Sequence, residues 1–452
     1  MKSRSKKVYI ANILMAIFIA TAIVPLMNAE ACSNVVIDWN DIHQEIDGFG
    51  ITQDEEDTYS MSEPQRTEVM DLLYSRDNGI GLSILRTEIG CGDSKATIEP
   101  DDGVWNYEPD MRELWYFNEA KVRGVEKIFG TVWSPPAWMK TNNKLERGGF
   151  LKKEYYQKYA DYLAQYIKIY KEYHGVDIYG VSIANEPEYA APWKSCLWTG
   201  SMFKNFIKDY LKPTFENENI DAKVIAGEMA IWSEVVVKDA LKDPESCSRV
   251  DIVAAHQYQG IIKELPTAKK TGKKIWMTEL SDTTGGFDTG MSDALKWGKK
   301  IHKFMTIPEI SAFCYWRGSH TVNDNQTLIH INPDLASYIV SKRLFTLGHF
   351  SRFVRPGYVR IGATDNPTLG VYITAYKDIE TGNFAIVAIN DSKYDKTLDI
   401  VPKGFVSGQI TPYITNEQVD MEKRSDIKSI DEKFTISLEG KSITTFIGIN
   451  KK

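Results

Sequence analysis

The sequence predicts an α/β protein, a (β/α)8 TIM barrel with a packed side β-sandwich domain. Three observations carry that prediction. From about residue 48 to 336, apolar runs of strand length alternate with helical stretches, as in a parallel sheet. After that the pattern changes to short alternating strands. The 452 residues suit one large barrel plus an accessory domain, and no repeat of fixed period occurs. At 43% hydrophobic and 25% charged, the composition excludes a disordered or fibrous chain. The formal charge of −7 argues against a general nucleic-acid binder, which needs a basic footprint.

Residues 1–31 read as a secretory signal peptide. Lys2, Arg4, Lys6 and Lys7 precede an apolar stretch from Val8 to Met27, and Ala29-Glu30-Ala31 has the small-x-small form of a cleavage site. A membrane anchor is the competing reading, since about 20 apolar residues span a bilayer. The cleavage pattern favours secretion, with no membrane association afterwards. Residues 32–47 contain the strand-like run Val35-Val36-Ile37-Asp38-Trp39, expected to join the C-terminal sheet.

The barrel is assigned to residues 48–336. Its strands are expected at 48–50, 81–86, 127–133, 179–184, 222–227, 250–255, 274–278 and 310–316, apolar throughout because both faces are covered. Between them, 153–173 reads as a helix. Its stripe of Tyr159, Tyr162, Leu163, Tyr166 and Tyr170 at spacings of three and four reads as core packing. Residues 337–452 hold a last helix (338–347) and the side β-domain, with strands at 370–376, 384–389 and 442–447 and a turn at Glu380-Thr381-Gly382-Asn383. Cys32, Cys91, Cys196, Cys247 and Cys314 are odd in number and form no CxxC, so they read mainly as packing residues with at most one or two bridges.

In such a barrel the chemistry lies at the C-terminal ends of the strands. The fourth barrel strand runs into Asn185-Glu186-Pro187 and the seventh into Thr278-Glu279-Leu280. Two carboxylates facing one site are what glycoside hydrolysis requires: one protonates the leaving oxygen, and the other, ionised, attacks or activates water. Trp133, Trp138, Tyr258 and Trp316 follow strands on the same rim, and aromatic faces stack on the C–H faces of sugars. Arg86 ends the second strand, where its charge would hold a neighbouring carboxylate ionised. Glu88, Asp93, Glu188, Glu228 and Asp282 are rival acids. The seven His residues are scattered and no HExxH occurs, so neither a metal nor any other cofactor is expected. No GxSxG elbow or Walker loop occurs.

Gly48-Phe49-Gly50, Trp133-Ser134-Pro135-Pro136-Ala137-Trp138-Met139-Lys140, Ile183-Ala184-Asn185-Glu186-Pro187 and Trp276-Met277-Thr278-Glu279 resemble glycoside hydrolase family 30 in order and spacing. Thr141-Asn142-Asn143 with Gly148-Gly149, Ser195-Cys196-Leu197-Trp198-Thr199-Gly200 and Arg352-Phe353-Val354-Arg355-Pro356-Gly357 extend the resemblance to its bacterial xylanase branch. That resemblance implies a barrel with a side β-domain, β-1,4-xylan as substrate and retention of configuration. It implies Glu186 as acid/base, Glu279 as nucleophile, and Asn185 on the hydroxyl beside the reacting carbon. Arg86 and Tyr258 would contact the nucleophile, and Trp133 and Trp316 would line the sugar at the cleavage point.

Two departures shape the expected specificity. The loop after the eighth strand, Arg317-Gly318-Ser319-His320-Thr321-Val322-Asn323-Asp324-Asn325, lacks the Arg-Arg-Ser-Tyr type of pattern with which many of that branch hold a glucuronate side group, and Arg317 looks misplaced for that contact. The segment 280–290 is also unfamiliar. Strict glucuronate dependence is therefore not expected. The segment 90–111, with Trp105 and Tyr107, is longer than the pattern and is either an inert surface loop or a wall across the cleft. A wall would favour exo release of xylobiose. A β-glucosidase or β-glucanase of the same family, and a non-catalytic glycan-binding protein, are the other readings. The expected protein is a secreted monomer acting on xylan or xylooligosaccharides.

Overall fold

The computed structural model describes residues 33–52, 55–92, 97–108 and 110–451. The expected signal peptide, Cys32 and Asp93 lie outside the described residues. Eight strands form the barrel: β2 (Gly48–Thr52), β3 (Ile84–Glu88), β4 (Lys127–Thr131), β5 (Gly180–Ser182), β6 (Lys223–Ile231), β7 (Ile252–Gln259), β8 (Lys274–Met277) and β9 (Ala312–His320). Neighbours pair in parallel around the ring, and β9 closes it by pairing with both β8 and β2. Before β2 runs β1 (Ser33–Glu45).

The barrel is packed rather than hollow. Ile84, Phe129, Ile225, Ile252, Ala254, Trp276, Ala312 and Cys314 form one interior cluster. Trp276 meets the edge of Phe129 at 5.5 Å and stacks on Tyr179 at 5.9 Å. Its indole N–H donates to the Asp47 carboxylate at 2.9 Å, so the one polar atom of this large side chain is satisfied. Two residues further along the strands the interior turns polar, with Arg86 on β3, Thr131 on β4, Ser182 on β5 and His256 on β7, all buried. Strand periodicity of two thus stacks a polar floor on an apolar plug.

The Tyr stripe is buried in the helix Tyr156–His174, packed on the outside of the barrel. The described part of 90–111 runs along that same helix. Thr97 hydrogen-bonds Tyr162 at 3.3 Å, Asp102 pairs with Lys158, and Tyr107 packs on Tyr173 at 4.9 Å. His174 at the helix end bonds the Tyr107 carbonyl at 2.9 Å. This segment is therefore an outer loop, and its described residues build no wall at the site.

After β9 the chain adds β10 (Thr327–Ile331), parallel to β9, and β11 (Tyr338–Val340), antiparallel to β10. The expected helix 338–347 instead starts at Lys342 and runs to Ser351. Tyr338-Ile339-Val340 is aromatic and β-branched, and His330 pairs with Ile339 across the ladder, so strand preference and pairing win. The remaining strands are β12 (Val359–Ala363), β13 (Val371–Lys377), β14 (Asn383–Asn390), β15 (Lys396–Lys403), β16 (Gln409–Thr415), β17 (Glu422–Lys423), β18 (Ile427–Lys428), β19 (Phe434–Leu438) and β20 (Ser442–Ile449). They form one ten-stranded sheet with β1, which lies between β12 and β15. The sheet curls so that Leu398, Ile400, Phe434 and Ile436 share one core with Ile373, Ile386 and Phe446. The two layers of the sandwich are thus the two arms of a single sheet. Cys196, Cys247 and Cys314 are free.

Arg343, from the helix after β11, ties the site loops to this frame. It is 1% exposed, pairs with Asp293 at 2.6 Å, and donates to the Asp288 carbonyl, the Asn325 side chain and the Thr327 carbonyl. Replacing it with Leu leaves the buried Asp293 with only the more distant Lys296, at 3.8 Å. We expect a loss of about 3 kcal/mol of stability, measured by urea unfolding; a loss below ~1 kcal/mol would show the pair to be dispensable.

Candidate active site

Asn185 and Glu186 follow β5, and Glu279 follows β8 by two residues. Local bonds set them: the Asn185 N–H donates to the Val132 carbonyl at 2.8 Å, and the Glu186 N–H to the Glu228 carbonyl at 2.9 Å. Both Glu side chains are largely buried, at 7% and 5% exposure, on the floor of a cleft of about 830 Å³. One oxygen of Glu186, one of Glu279 and a nitrogen of His256 lie within 4.8 Å of one another.

Arg86 sits beneath this pair. Its Nη1 donates to Glu279 at 2.6 Å, its Nε to Glu228 at 3.1 Å, and its Nη2 to the Asn185 amide oxygen at 2.6 Å. Its guanidinium also lies 4.5 Å from the Trp133 ring centre. At 0% exposure it cannot touch a ligand. It orients the groups that do. Tyr258 lines the cleft, and its hydroxyl donates to the second Glu279 oxygen at 2.9 Å. Burial pushes the Glu279 carboxyl above its ordinary value, and the Glu186 charge adds to this. His256, Arg86 and the Tyr258 hydroxyl pull the other way.

Trp133 and Trp316 pack on each other as a tilted pair with ring centres 5.9 Å apart, and both line the cleft. Trp138 does not line it: its ring packs edge-on against Tyr155 at 5.2 Å. A short 3-10 turn at Ala137–Met139 carries it, and this turn points its ring toward Tyr155. Sequence reasoning passed over two aromatic residues of the wall, Tyr189 and Trp193. They sit three and seven positions after Glu186, 45% and 51% exposed, edge to face at 5.9 Å. Their signal was available, since both stand in the loop that follows Asn185-Glu186-Pro187. Arg317 also lines the cleft, with its guanidinium 5.2 Å from the Trp316 ring centre.

The rival acids separate by environment. Glu88 pairs with Lys194 at 2.6 Å on the wall. Glu188 accepts the Ile231 N–H at 3.1 Å, and burial raises its pKa. Asp282 is held to about 2, despite burial, by Lys296 and Thr284. Glu228 lies deeper than Glu186 and Glu279 and is fully buried. Among the described residues, Glu186, His256 and Glu279 are the grouping compact enough to hold a metal. Arg86 against Glu279 already supplies the positive charge there, so a cation would meet electrostatic repulsion.

Fold and site together define a barrel glycoside hydrolase. Residues 58–332 match the family model described as Glycosyl hydrolase family 59. Over 434 residues the chain is 27% identical to Glucuronoxylanase XynC of Bacillus subtilis (strain 168), covering 92% of each. It is 30% identical to the glycoside hydrolase family 30 subfamily 8 xylanase Xyn30A of Clostridium acetobutylicum, with a TM-score of 0.79 over 92% of this chain and 99% of that one. The catalytic domain of GH30 xylanase C from Talaromyces cellulolyticus matches at 26% identity and a TM-score of 0.83, over 92% and 99%. The chain belongs to glycoside hydrolase family 30, and its barrel is also related to family 59.

The Tyr258 hydroxyl opposes protonation of Glu279. In Tyr258→Phe the Glu279 carboxyl should therefore titrate at higher pH than in the parent protein, as read by carbon NMR of labelled Glu. An unchanged titration would show that this hydrogen bond does not form.

Proposed function

We propose that the protein is a secreted, retaining β-1,4-xylanase that cleaves within the chain. The observation that carries this is the Glu186–Glu279 pair, with facing oxygens no more than 4.8 Å apart, in a Trp-walled cleft. Retaining glycosidases hold their carboxyl groups about 5–5.5 Å apart, whereas inverting ones leave room for a water at about 6.5–9.5 Å. Xylan as substrate rests on the relatives named for it.

In the first step, Glu186 gives its proton to the glycosidic oxygen as the Glu279 carboxylate attacks the anomeric carbon. The glycosidic bond breaks, and a covalent glycosyl ester forms on Glu279. In the second step, Glu186, now a carboxylate, takes a proton from water. That water breaks the ester with a second inversion, so configuration is retained. Arg86 and Tyr258 hold one Glu279 oxygen each, which disfavours its protonation and directs its attack. Asn185 gives its amide oxygen to Arg86, which leaves its NH2 to donate to the hydroxyl beside the reacting carbon. Trp133 and Trp316 pack against each other and together offer the sugar ring one aromatic wall. The acid/base must face the leaving group, so Tyr189 and Trp193, in its own loop, form a stacking platform for the leaving side.

The outer position of the 97–108 segment supports endo action over trimming from chain ends. Glucuronate is tolerated rather than required. Arg317 offers one cation on the cleft wall, but 280–290 and 317–325 contain no Tyr to complete a clamp. Secretion rests on the leader at residues 1–31.

Glu279→Gln should lower kcat by roughly 10³-fold or more while oligosaccharide binding survives; unchanged turnover would remove Glu279 as nucleophile. A product time course on linear β-1,4-xylan beside glucuronoxylan tests the substrate. A ladder of long early products from both polymers is expected. A single short product would restore exo action, cleavage of glucuronoxylan alone would show strict dependence, and inertness on both would point to glucans. Trp193→Ala should raise KM for long chains by about tenfold with kcat little changed.

A further inference from the structure

Strand alternation places the Glu228 side chain on the wrong face. In β6, Val224 and Ala226 pack in the outer cluster and Ile225 inside the barrel. Continuing that period of two sends Gly227 inward and Glu228 outward. Instead Glu228 points inward, where Arg86 and Ser182 reach it, and Met229 returns to the outer cluster. The pairing of β6 with β7 shifts register between Gly227 and Met229, so a β-bulge reverses the alternation.

The bulge is built for that purpose. Gly227 has φ +116°, and a Cβ there would lie 2.3 Å from the Ala254 carbonyl oxygen. Glu228 itself has φ +48°, in the left-handed region that disfavours a side chain. Its carbonyl accepts the N–H of Glu186, which is also left-handed at φ +44°. Two strained acidic residues thus hold each other in place at the floor of the cleft.

The charges around Glu228 form a closed set. Its carboxylate meets Arg86 at 3.1 Å, the Ser182 hydroxyl at 2.6 Å and His256 Nε2 at 3.8 Å. His256 Nδ1 faces Glu186 at 3.2 Å. The groups facing this imidazole are Glu186 after β5, Glu228 on β6, Glu279 after β8, Arg86 on β3 and the Tyr258 ring on β7. Burial alone would keep His256 neutral. The Glu279 charge, the bond to Glu186 and the nearby Glu228 carboxylate outweigh it and hold the imidazole protonated up to about 9, with Arg86 opposing. Burial would likewise neutralise Glu228, but Arg86, His256 and Ser182 hold it ionised down to about 2.

We propose that Glu228 is a positioning residue for the reaction: aimed inward by the bulge, its anion holds Arg86 against the nucleophile and the charged His256 against the acid/base. The proposal rests on the roles assigned above to Glu279 and Glu186. When Glu186 gives up its proton to the leaving oxygen, the new carboxylate already has the His256 N–H as donor. The proton that returns to Glu186 comes from the attacking water, so His256 keeps its own throughout.

The first test needs neither substrate nor variant. Nitrogen NMR of His256 in the parent protein should show an imidazolium through neutral pH, titrating near 9. Titration at or below the ordinary histidine value would overturn the proposal. In Glu228→Gln the same titration should fall by more than one pH unit, while kcat drops roughly tenfold to a hundredfold and KM stays within about threefold. Glu228→Asp should recover part of the kcat and of the histidine shift. A folded Glu228→Gln protein with unchanged kcat and unchanged His256 titration would sink the idea. If xylan proved the wrong substrate, the histidine titrations would still stand, so the two failures are distinguishable.

Discussion

A single buried guanidinium organises the site. Arg86 is sealed from solvent, and its donors go to Glu279, Glu228, Asn185, Thr131 and Thr52. A charge in that position is tolerable only with its counter-charges in place, and each carboxylate is tolerable only with Arg86. The ends of β2, β3, β4, β5, β6 and β8 are thereby held to one arrangement. The barrel supplies the walls, but this interlocked set of charges sets the distances on which the chemistry depends.

The floor and the rim of the cleft obey different rules. The floor is polar, buried and bonded into a rigid network, so its side chains have little freedom to adapt. The rim carries the exposed aromatics Tyr189 and Trp193, which pack on each other, the exposed loop residue Thr283, and the half-buried Arg317 of β9, stacked on Trp316. Reaction type belongs to the floor and substrate choice to the rim, because a loop accepts substitutions that a buried charge network does not.

The side sheet contributes at a distance. β1 enters it before the barrel begins, and the helix Lys342–Ser351 packs between sheet and barrel. His349 of that helix bonds Thr445 and Thr415 of the sheet, each at 2.9 Å. Burial drives its imidazole down to about 3, so this contact stays neutral across the ordinary pH range. The Arg343 ties to the site loops come from the same helix.

Much of this was legible in the sequence. Alternating apolar runs and helical stripes mark the strands and helices, because each periodicity reports which face is buried. Asn185, Glu186 and Glu279 were readable because they end strands, and a barrel gathers strand ends at one face. Local patterns carry no information about where a loop travels or how a turn rotates its side chains. Hence 97–108 proved to lie along an outer helix, Trp138 turned toward Tyr155, and Arg317 reached the cleft. Glu228 stood out only as one rival acid among five, for a sharper reason: the bulge at Gly227, which aims it inward, breaks the period of two that a sequence reading must assume. The amino-acid order determined which residues are strand ends and core. The closure of the barrel, with the bulge at Gly227 and the buried Arg86, decided which acids meet, because charge pairing over ångström distances depends on contacts between residues far apart in the chain.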